Sequence, residues 1–334
     1  MRKLVIFGNG LGRSLDNDHF DLSSALKSVW ADNDFLSFEQ KTLIASAIEG
    51  VEVVEGPEDE DQLFGTQLAL IACEMLKKAT NDDGLHHWLT DGAIDFPDAL
   101  SSYIRAVSAH FHGYVNLDLD GRWGEFVQSL VAFVYESKSH IATLNYDGLL
   151  YSPFNEWQMI DGEKVKLCNG YDGTLLDGYT NGLGFAASNM ERKYNVGDKA
   201  WYMHLHGSPL FVNDEHGFPK KQTRAQFGGE EYKGKNHIVL THGAMKPVVI
   251  SSSEVLQMYW EHLDKAIREV EEIILFGYSG RDDHLNSRIK KLRSGTPVRV
   301  IERAHPVDRS PYWKPKVGDV TIEPMADILA FRDW

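Results

Sequence analysis

The chain opens with an apolar run that leads directly into a glycine-rich turn, LVIFGNGLG at residues 4–12. Four consecutive apolar residues are typical of a buried strand in a parallel sheet. A strand followed by such a turn is typical of the first β-α unit of a nucleotide-binding fold. The third glycine comes one residue earlier than in the GxGxxG spacing. Taken alone, the turn is therefore equally consistent with a structural tight turn.

Helical and strand patterns alternate along the rest of the chain. Helical periodicity is found at residues 38–49, 61–78, 97–112, 122–137, 253–271 and 283–293. Short apolar strand patterns are found at residues 140–147, 200–208, 247–250, 272–276 and 296–302, with one more expected after 320. This alternation predicts an α/β fold, a doubly wound parallel (Rossmann-like) sheet with helices on both faces.

We expect one Rossmann-type domain over residues 1–334. It would contain an inserted helical segment at about 20–137 and an irregular lobe at about 151–200, which is rich in Gly, Asn and Asp and has no clear periodicity. The acidic residues 55–61 are expected to form a solvated loop, and the polar residues 212–236 a long loop.

Composition limits the classes of function. The formal net charge of -15 argues against a broad surface for direct nucleic-acid binding, which needs clustered Lys and Arg. The two cysteines, Cys73 and Cys168, cannot form a four-cysteine zinc site and fit a reducing, cytoplasmic location. No stretch approaches 18 apolar residues, and the N-terminal apolar run is too short for a signal peptide, so no membrane association is expected.

Polar residues and glycines cluster directly after the predicted strands. These clusters are Gly8–Gly12, Asn145–Asp147, His206–Ser208, Gly277–Asp283 and Glu302. Ligands bind at the carboxyl ends of the strands in open parallel sheets. The five clusters together therefore predict one binding site at this edge of the sheet.

Each motif has an ordinary structural alternative. Asp147 in TLNYD (residues 143–147) could simply cap a helix. His206 begins His-Gly-Ser, but His204 would share its face of a strand and is a rival for the same role. A metal site at the two histidines lacks a matching carboxylate cluster. Glu302 is equally consistent with a surface carboxylate at the end of a strand.

The order of the motifs carries more information than any one of them. The glycine turn, Thr-x-Asn-x-Asp, His-Gly-Ser and the Gly-x-Ser of GYSGRDD (residues 277–283) resemble the bacterial sirtuin-like domain family, whose members include NAD-consuming effectors of antiphage defence. The resemblance covers about residues 3–303 but is strong only at the motifs. The zinc-binding cysteines of deacylating sirtuins are missing, which argues against protein deacylation. The first turn, GNGLGRS, departs from the family's Gly-Ala-Gly-x-Ser.

The resemblance implies an NAD+ glycohydrolase that releases nicotinamide and ADP-ribose without a metal. Asn145 would orient the ribose or the attacking water, Asp147 would hold the nicotinamide carboxamide, and His206 would act as the base. The residues that would bind the rest of NAD+ are Gly8, Asn9, Gly10, Gly12, Ser14, Gly277, Ser279, Asp282 and Glu302. Glu302 would repel a 2′-phosphate if it faced the ribose, which favours NAD+ over NADP+.

Other functions remain open at this level. The protein could be a module that binds NAD+ or ADP-ribose without turnover, or an ADP-ribosyltransferase. An abortive-infection effector that consumes NAD+ must be restrained until it is needed. The resemblance therefore also implies a homo-oligomer and a partner such as a HerA-like ATPase or an Argonaute.

Overall fold

The computed structural model describes residues 1–32, 36–79, 91–160, 162–171, 184–192, 199–214, 216–222 and 236–334. In chain order, the strands of these residues are β1 (Lys3–Phe7), β2 (His140–Thr143), β3 (Gln158–Ile160), β4 (Glu163–Val165), β5 (Tyr202–His204), β6 (Gly207–Asn213), β7 (Pro219–Lys221), β8 (Asn236–Ile238), β9 (Glu272–Phe276), β10 (Val298–Arg303) and β11 (Thr321–Met325).

The main sheet has six parallel strands in the order β11-β10-β9-β1-β2-β5. Read from β5, and numbered by their order in the chain, these strands run 3-2-1-4-5-6, which is the order of a Rossmann sheet. The winding changes direction between β1 and β9, and this switch point is where doubly wound sheets form a ligand crevice. The predicted α/β fold with a parallel sheet is confirmed.

Helices flank the sheet. They are α1 (Gly10–Leu15), α2 (Leu22–Ala31), α3 (Phe38–Ser46), α4 (Phe64–Ala79), α5 (Asp91–His112), α6 (Arg122–Ser137), α7 (Tyr151–Asn155), α8 (Lys246–Ser251), α9 (Glu254–Glu269), α10 (Asp283–Leu292) and α11 (Ser310–Val317). Within the described ranges, none of the helices is both long enough and apolar enough to cross a membrane.

The centre of the sheet is fully buried, as the continuous apolar runs predict. In β1, Val5 lies opposite Ile141 of β2 on one side and Ile274 of β9 on the other, and all three side chains are completely buried. Full burial of such a side chain contributes about 1.5–3 kcal/mol to folding. Because both faces are buried, the register of β1 with β2 and with β9 is fixed. The positions of the residues that follow these strands are therefore fixed as well.

One predicted strand is wrong. Residues 247–250 form part of helix α8 rather than a strand. Pro247 lies in the first turn of that helix, where its missing N–H is not needed. Lys246 and Ile250, four residues apart, are buried while Val248 between them is 43% exposed. This is the spacing of a helix face, which an apolar run of four residues does not reveal.

The two predicted irregular regions contain more regular structure than expected. In residues 212–236, β7 and β8 flank β6 in a three-stranded antiparallel sheet, and residues 223–235 lie outside the described ranges. The predicted lobe at 151–200 contains α7 and a hairpin of β3 and β4, and its residues 172–183 and 193–198 lie outside the described ranges. The last predicted strand is present as β11, followed by a 3₁₀ turn at Ile328–Ala330.

Candidate functional site

A cavity of about 900 Å³ lies along the carboxyl ends of the central strands, at the switch point of the sheet. Its volume is in the range of cavities that hold cofactor-sized ligands. The predicted site residues that line it are Gly8, Asn9, Gly10, Ser14, Asn145, Asp147, His206, Gly277, Ser279, Asp282 and Glu302. Residues from distant parts of the chain therefore meet at one site, as the clusters after the strands predict.

The glycines of the two turns are needed because the turns contact each other. A Cβ on Gly8 would lie 2.6 Å from the Cα of Tyr278, and a Cβ on Gly10 would lie 2.6 Å from the carbonyl oxygen of Gly277. The N–H groups of Gly8 and Gly10 donate to the carbonyls of Phe276 and Gly277, at 2.9 and 2.8 Å. These two N–H groups are therefore already used in joining the turns.

Gly12 does not line the cavity. A Cβ there would lie 2.5 Å from the ring of Phe20, so this glycine allows α1 to pack closely on that ring. Asn9 and Ser14 line the cavity, but their side chains donate to backbone carbonyls of Phe20 and Leu11. The side-chain donors of Asn9 and Ser14 are thus already used within this turn and its neighbour.

His206 and Asp282 form a buried pair at the wall of the cavity. The Nε2 atom of His206 lies 2.9 Å from Oδ2 of Asp282. Asp282 is itself fixed, because its Oδ1 accepts the N–H of Leu285 and caps helix α10. Gly207 has a φ of +81° and leaves no room for a Cβ against the carbonyl of His237, so the turn that carries His206 requires glycine.

Lys246 makes this pair part of a longer chain of charges. Its Nζ lies 3.3 Å from Oδ2 of Asp282 and 3.3 Å from Oε1 of Glu60. Burial alone would raise the pKa of Asp282, but the hydrogen bond from His206 and the charges of His206 and Lys246 hold that pKa far below its usual range. Burial opposes the charge of Lys246, and the carboxylates of Asp282 and Glu60 outweigh burial and raise its pKa. Asp282 is therefore ionised across the physiological pH range.

Neither Lys246 nor Glu60 is identified by the sequence patterns. Lys246 begins a helix where a strand was predicted, and Glu60 belongs to the acidic stretch expected to be a solvated loop. In the structure, residues 58–61 line the cavity. Glu58, Asp59 and Asp61 are exposed, as expected of a solvated loop, whereas Glu60 is half-buried because it pairs with Lys246.

Asn145 and Asp147 present acceptor atoms that the described residues leave unsatisfied. The Nδ2 of Asn145 donates to the carbonyl of Gly8 at 3.2 Å, which fixes the side-chain amide. Its Oδ1, and Oδ2 of Asp147, are buried and accept no hydrogen bond within the described residues. Unsatisfied buried acceptors at a cavity wall are positions for donors of a ligand or of water.

Burial also changes the acidity of Asp147. Burial raises the pKa of this carboxyl to about 7. Hydrogen bonds from the N–H of Leu149 and the amide of Asn145 favour the ionised form and lower the pKa, but burial has the larger effect. The carboxyl is therefore divided between its neutral and ionised forms near neutral pH.

His204 lies in a different environment from His206. It is completely buried at the end of β5, between the rings of Tyr151, Tyr202 and Phe211, and it is not among the residues lining the cavity. Burial, together with the charges of His112 and Lys221, lowers the pKa of His204 to about 3. His204 is therefore a neutral side chain of the core, and the geometry favours His206 as the histidine of the site.

The opposite end of the cavity is built around Glu302. Its Oε2 lies 2.9 Å from Nη1 of Arg309 and 3.4 Å from Nε1 of Trp313. Burial raises the pKa of Glu302, while the charge of Arg309 and the hydrogen bond from Trp313 lower it. The cavity thus has acidic residues and Lys246 at the His206 end, and arginines at the Glu302 end.

The comparisons with known proteins do not identify a family. No protein-family model matches the sequence, and no curated protein matches it. Within the described ranges, no group of three or more His, Cys, Asp or Glu side chains could hold a metal ion. The arrangement of the cavity itself is therefore the basis for a functional proposal.

Proposed function

We propose that the protein is a sirtuin-like NAD+ glycohydrolase, which cleaves the bond between nicotinamide and ribose to give nicotinamide and ADP-ribose. The observation that carries the proposal is the pairing of His206 with Asp282 in a cavity that is also lined by Asn145 and Asp147, whose buried acceptors are unsatisfied. A base oriented by a buried carboxylate, beside acceptors for a polar ligand, is an arrangement suited to catalysis.

The two ends of the cavity suggest the orientation of NAD+. The nicotinamide carboxamide carries two N–H donors, and Asp147 Oδ2 is a buried acceptor that lacks a donor. The acidic residues 58–61 line the same cavity and favour a cationic pyridinium ring. The adenosine ribose then lies at the other end, where Glu302 is near the end of β10 and Ser279 follows β9. NAD+ would cross the switch point of the sheet.

Bond cleavage in this orientation needs no acid. The electron pair of the C1′–N bond moves to the pyridinium nitrogen, so nicotinamide leaves as a neutral molecule. The ribose passes through an oxocarbenium-like state, as in glycoside hydrolysis. What the protein supplies is positioning, shelter from bulk solvent and one directed water molecule.

The pairing of His206 defines which nitrogen acts as the base. Because Asp282 is ionised, it can only accept a hydrogen bond, so Nε2 of His206 carries a proton in either form of the imidazole, and the form that acts as a base is the one without a proton on Nδ1. Nδ1 then has the lone pair and takes a proton from the water that attacks C1′. Asp282 stabilises the imidazolium that results. In this scheme Asp282 acts on His206 rather than on the cofactor directly.

Asn145 has a positioning role in the same scheme. Its amide is fixed by the carbonyl of Gly8, and its Oδ1 is directed by that hydrogen bond. It is suited to orient a ribose hydroxyl or the attacking water. Asp147 accepts from the carboxamide when it is ionised.

The cellular role belongs to the same proposal. An enzyme that depletes NAD+ fits an abortive-infection effector in antiphage defence, which forms a homo-oligomer and is held inactive or assembled through a partner such as a HerA-like ATPase or an Argonaute. Light scattering of the purified chain, alone and with the products of neighbouring genes, tests this part. A monomer that is fully active by itself would contradict the need for an assembly.

The reaction is tested by incubating the protein with NAD+ and following the products by chromatography and mass spectrometry. We expect nicotinamide and ADP-ribose in equal amounts. ADP-ribose attached to protein would indicate a transferase instead, and tight calorimetric binding of NAD+ without turnover would indicate a binding module. Failure of every assembly of the chain to release nicotinamide would overturn the proposal.

A further inference from the structure

A second cavity of about 470 Å³ adjoins the first one at the Glu302 end. Ser279, Arg281, His305 and Arg309 line both cavities, so the two are continuous. The turn after β9 and the segment between β10 and α11 form its walls. In the orientation of NAD+ proposed above, this is the space next to the adenosine ribose.

The charges around the second cavity favour an anion. Arg281 and Arg309 carry positive charges, and His305 lies beside them. Asp308 is the carboxylate of this lining, and its Oδ1 accepts the N–H of Ser310. Arg281 is exposed and makes no hydrogen bond or ion pair within the described residues. Its guanidinium is therefore available to a ligand.

Arg309 is held in place by its neighbours. Its guanidinium carbon lies 4.4 Å from the centroid of the Tyr312 ring, and the Tyr312 hydroxyl donates to the carbonyl of Ser279 at 2.7 Å. Its Nη1 atom bonds to Glu302 at 2.9 Å. Because a guanidinium has five N–H donors, this contact leaves donors for a second acceptor. The Arg309 side chain is thus fixed by stacking on Tyr312 and by its ion pair with Glu302. Its other N–H groups are left to bind a ligand.

The same ion pair changes the expectation for Glu302. A bare carboxylate beside the ribose would repel a 2′-phosphate, which is the reason to expect NAD+ rather than NADP+. Here Arg309 compensates the charge of Glu302, and two arginines border the adjoining space. An arginine next to the ribose is the feature by which dinucleotide sites accommodate a 2′-phosphate.

We propose that the second cavity binds a phosphate on the 2′-oxygen of the adenosine ribose, so that the protein binds NADP+ more tightly than NAD+. Arg281 and Arg309 contact the phosphate, and Glu302 remains with a ribose hydroxyl. This inference rests on the proposed function for the orientation of the dinucleotide.

The test is calorimetric binding of three adenosine nucleotides to the full chain: 5′-AMP, 2′,5′-ADP and 3′,5′-ADP. The last two carry the same charge, so they separate a 2′-phosphate site from general attraction of anions. We expect 2′,5′-ADP to bind about tenfold to a hundredfold more tightly than the other two, the range of one or two charge-assisted hydrogen bonds.

Variants assign the effect to residues. Arg281→Ala, which removes an exposed side chain, should reduce the preference for 2′,5′-ADP about tenfold and leave 5′-AMP unchanged. Arg309→Ala should abolish the preference, with its fold checked by thermal melting. Arg268→Ala, on the exposed face of α9 and outside both cavities, is the charge-matched control. Equal binding of the three nucleotides, or an unchanged preference in both cavity variants, would overturn the inference.

The outcomes separate this inference from the proposed function. Release of nicotinamide from NAD+ without any preference for 2′,5′-ADP would refute the phosphate site alone. A preference for 2′,5′-ADP that depends on Arg281, without release of nicotinamide from NAD+ or NADP+, would support the phosphate site and refute hydrolysis. Absence of binding by all three nucleotides would refute the placement of adenosine on which both depend.

Discussion

His206 and Asp282 lie 76 residues apart in the sequence, and their Nε2 and Oδ2 atoms are 2.9 Å apart in the structure. His206 follows the edge strand β5, and Asp282 follows β9, on the other side of β1 and β2. Because Asp282 also caps helix α10, the position of the imidazole is tied to the rigid sheet rather than to a single loop. Lys246 completes the arrangement by compensating the carboxylate.

Replacing the carboxylate of this pair should slow the reaction, and the fold of the variant is checked by thermal melting because Lys246 also loses a buried partner. In Asp282→Asn, the new amide can donate to Nε2, which would move the imidazole proton to Nδ1 and remove the lone pair that accepts a proton from water. We expect kcat for nicotinamide release to fall by about 10²–10⁴, the range seen when a catalytic imidazole is held in the wrong tautomer or lost as a base. Asp283→Asn, next to it and outside the cavity lining, is the control. Equal loss in both variants would contradict a specific role for Asp282.

Lys246 should be important for stability as well as for the site. Its side chain is 6% exposed, and Lys246→Met would leave Asp282 buried with one fewer compensating charge. We expect the free energy of unfolding to fall by about 3–5 kcal/mol, as when one partner of a buried pair is removed. Urea denaturation measures it. Lys290→Met on the exposed side of α10 should change it by less than about 0.5 kcal/mol. A stable Lys246→Met protein would show that the ion pair is dispensable.

The contact between the two glycine turns predicts the effect of a single methyl group. In Gly10→Ala, the new Cβ meets backbone atoms of Gly277, which cannot move aside as a side chain can. We expect a loss of about 1–3 kcal/mol in stability without any ligand. Gly184→Ala, where nothing among the described residues lies within 4 Å of the new Cβ, is the matched control. If Gly10→Ala were as stable as the wild type and lost only ligand binding, the glycine would be needed for the ligand instead.

The pKa of Asp147 predicts a pH dependence of stability. The folded-state pKa of about 7 is above 3.8, the ordinary pKa of an aspartate. At a pH between these two pKa values, Asp147 is therefore protonated in the native state and ionised in the unfolded state. The contribution of Asp147 to the free energy of unfolding is fully present below about pH 4 and is lost as pH rises through about 7. The loss is about 4 kcal/mol at most.

Asp147→Asn removes this titration. The unfolding free energy of the variant relative to the wild type should therefore increase between pH 5 and pH 9, in parallel urea titrations. Asp327 also lines the cavity, and its carboxylate pairs with Arg122. The Asp327→Asn variant should therefore not show this increase in relative stability with pH. A constant difference between Asp147→Asn and the wild type across this range would mean that Asp147 stays ionised in the folded state.

The sequence predicts the parts of the fold that depend on local pattern. The four apolar residues of β1 and the polar clusters after the strands are sufficient to predict a parallel sheet and the edge at which its cavity lies. Four apolar letters do not distinguish a strand from a helical turn, so residues 247–250 were assigned to the wrong element. The proline in the first turn is the signal that favours the helix.

Pairings across the sheet could not be predicted. The ion pair of Lys246 with Glu60 depends on how the acidic stretch folds back over the sheet, and no spacing in the sequence encodes it. Likewise, the sequence predicts that Asp282 contacts the cofactor, and no spacing in it encodes the pairing with His206 across β1 and β2. The glycines of the first turn were predicted for a pyrophosphate, whereas the contact with Gly277 accounts for Gly10 without a ligand.

The most direct test of the account is the rate of nicotinamide release from NAD+ by the wild type, His206→Ala and His204→Phe, each checked for folding by thermal melting. Both histidines are buried at the end of β5, but only His206 is among the residues lining the cavity. We predict that His206→Ala loses about 10²–10⁴ in rate, the contribution of a general base, while His204→Phe retains activity. Full activity of a folded His206→Ala protein would contradict the account.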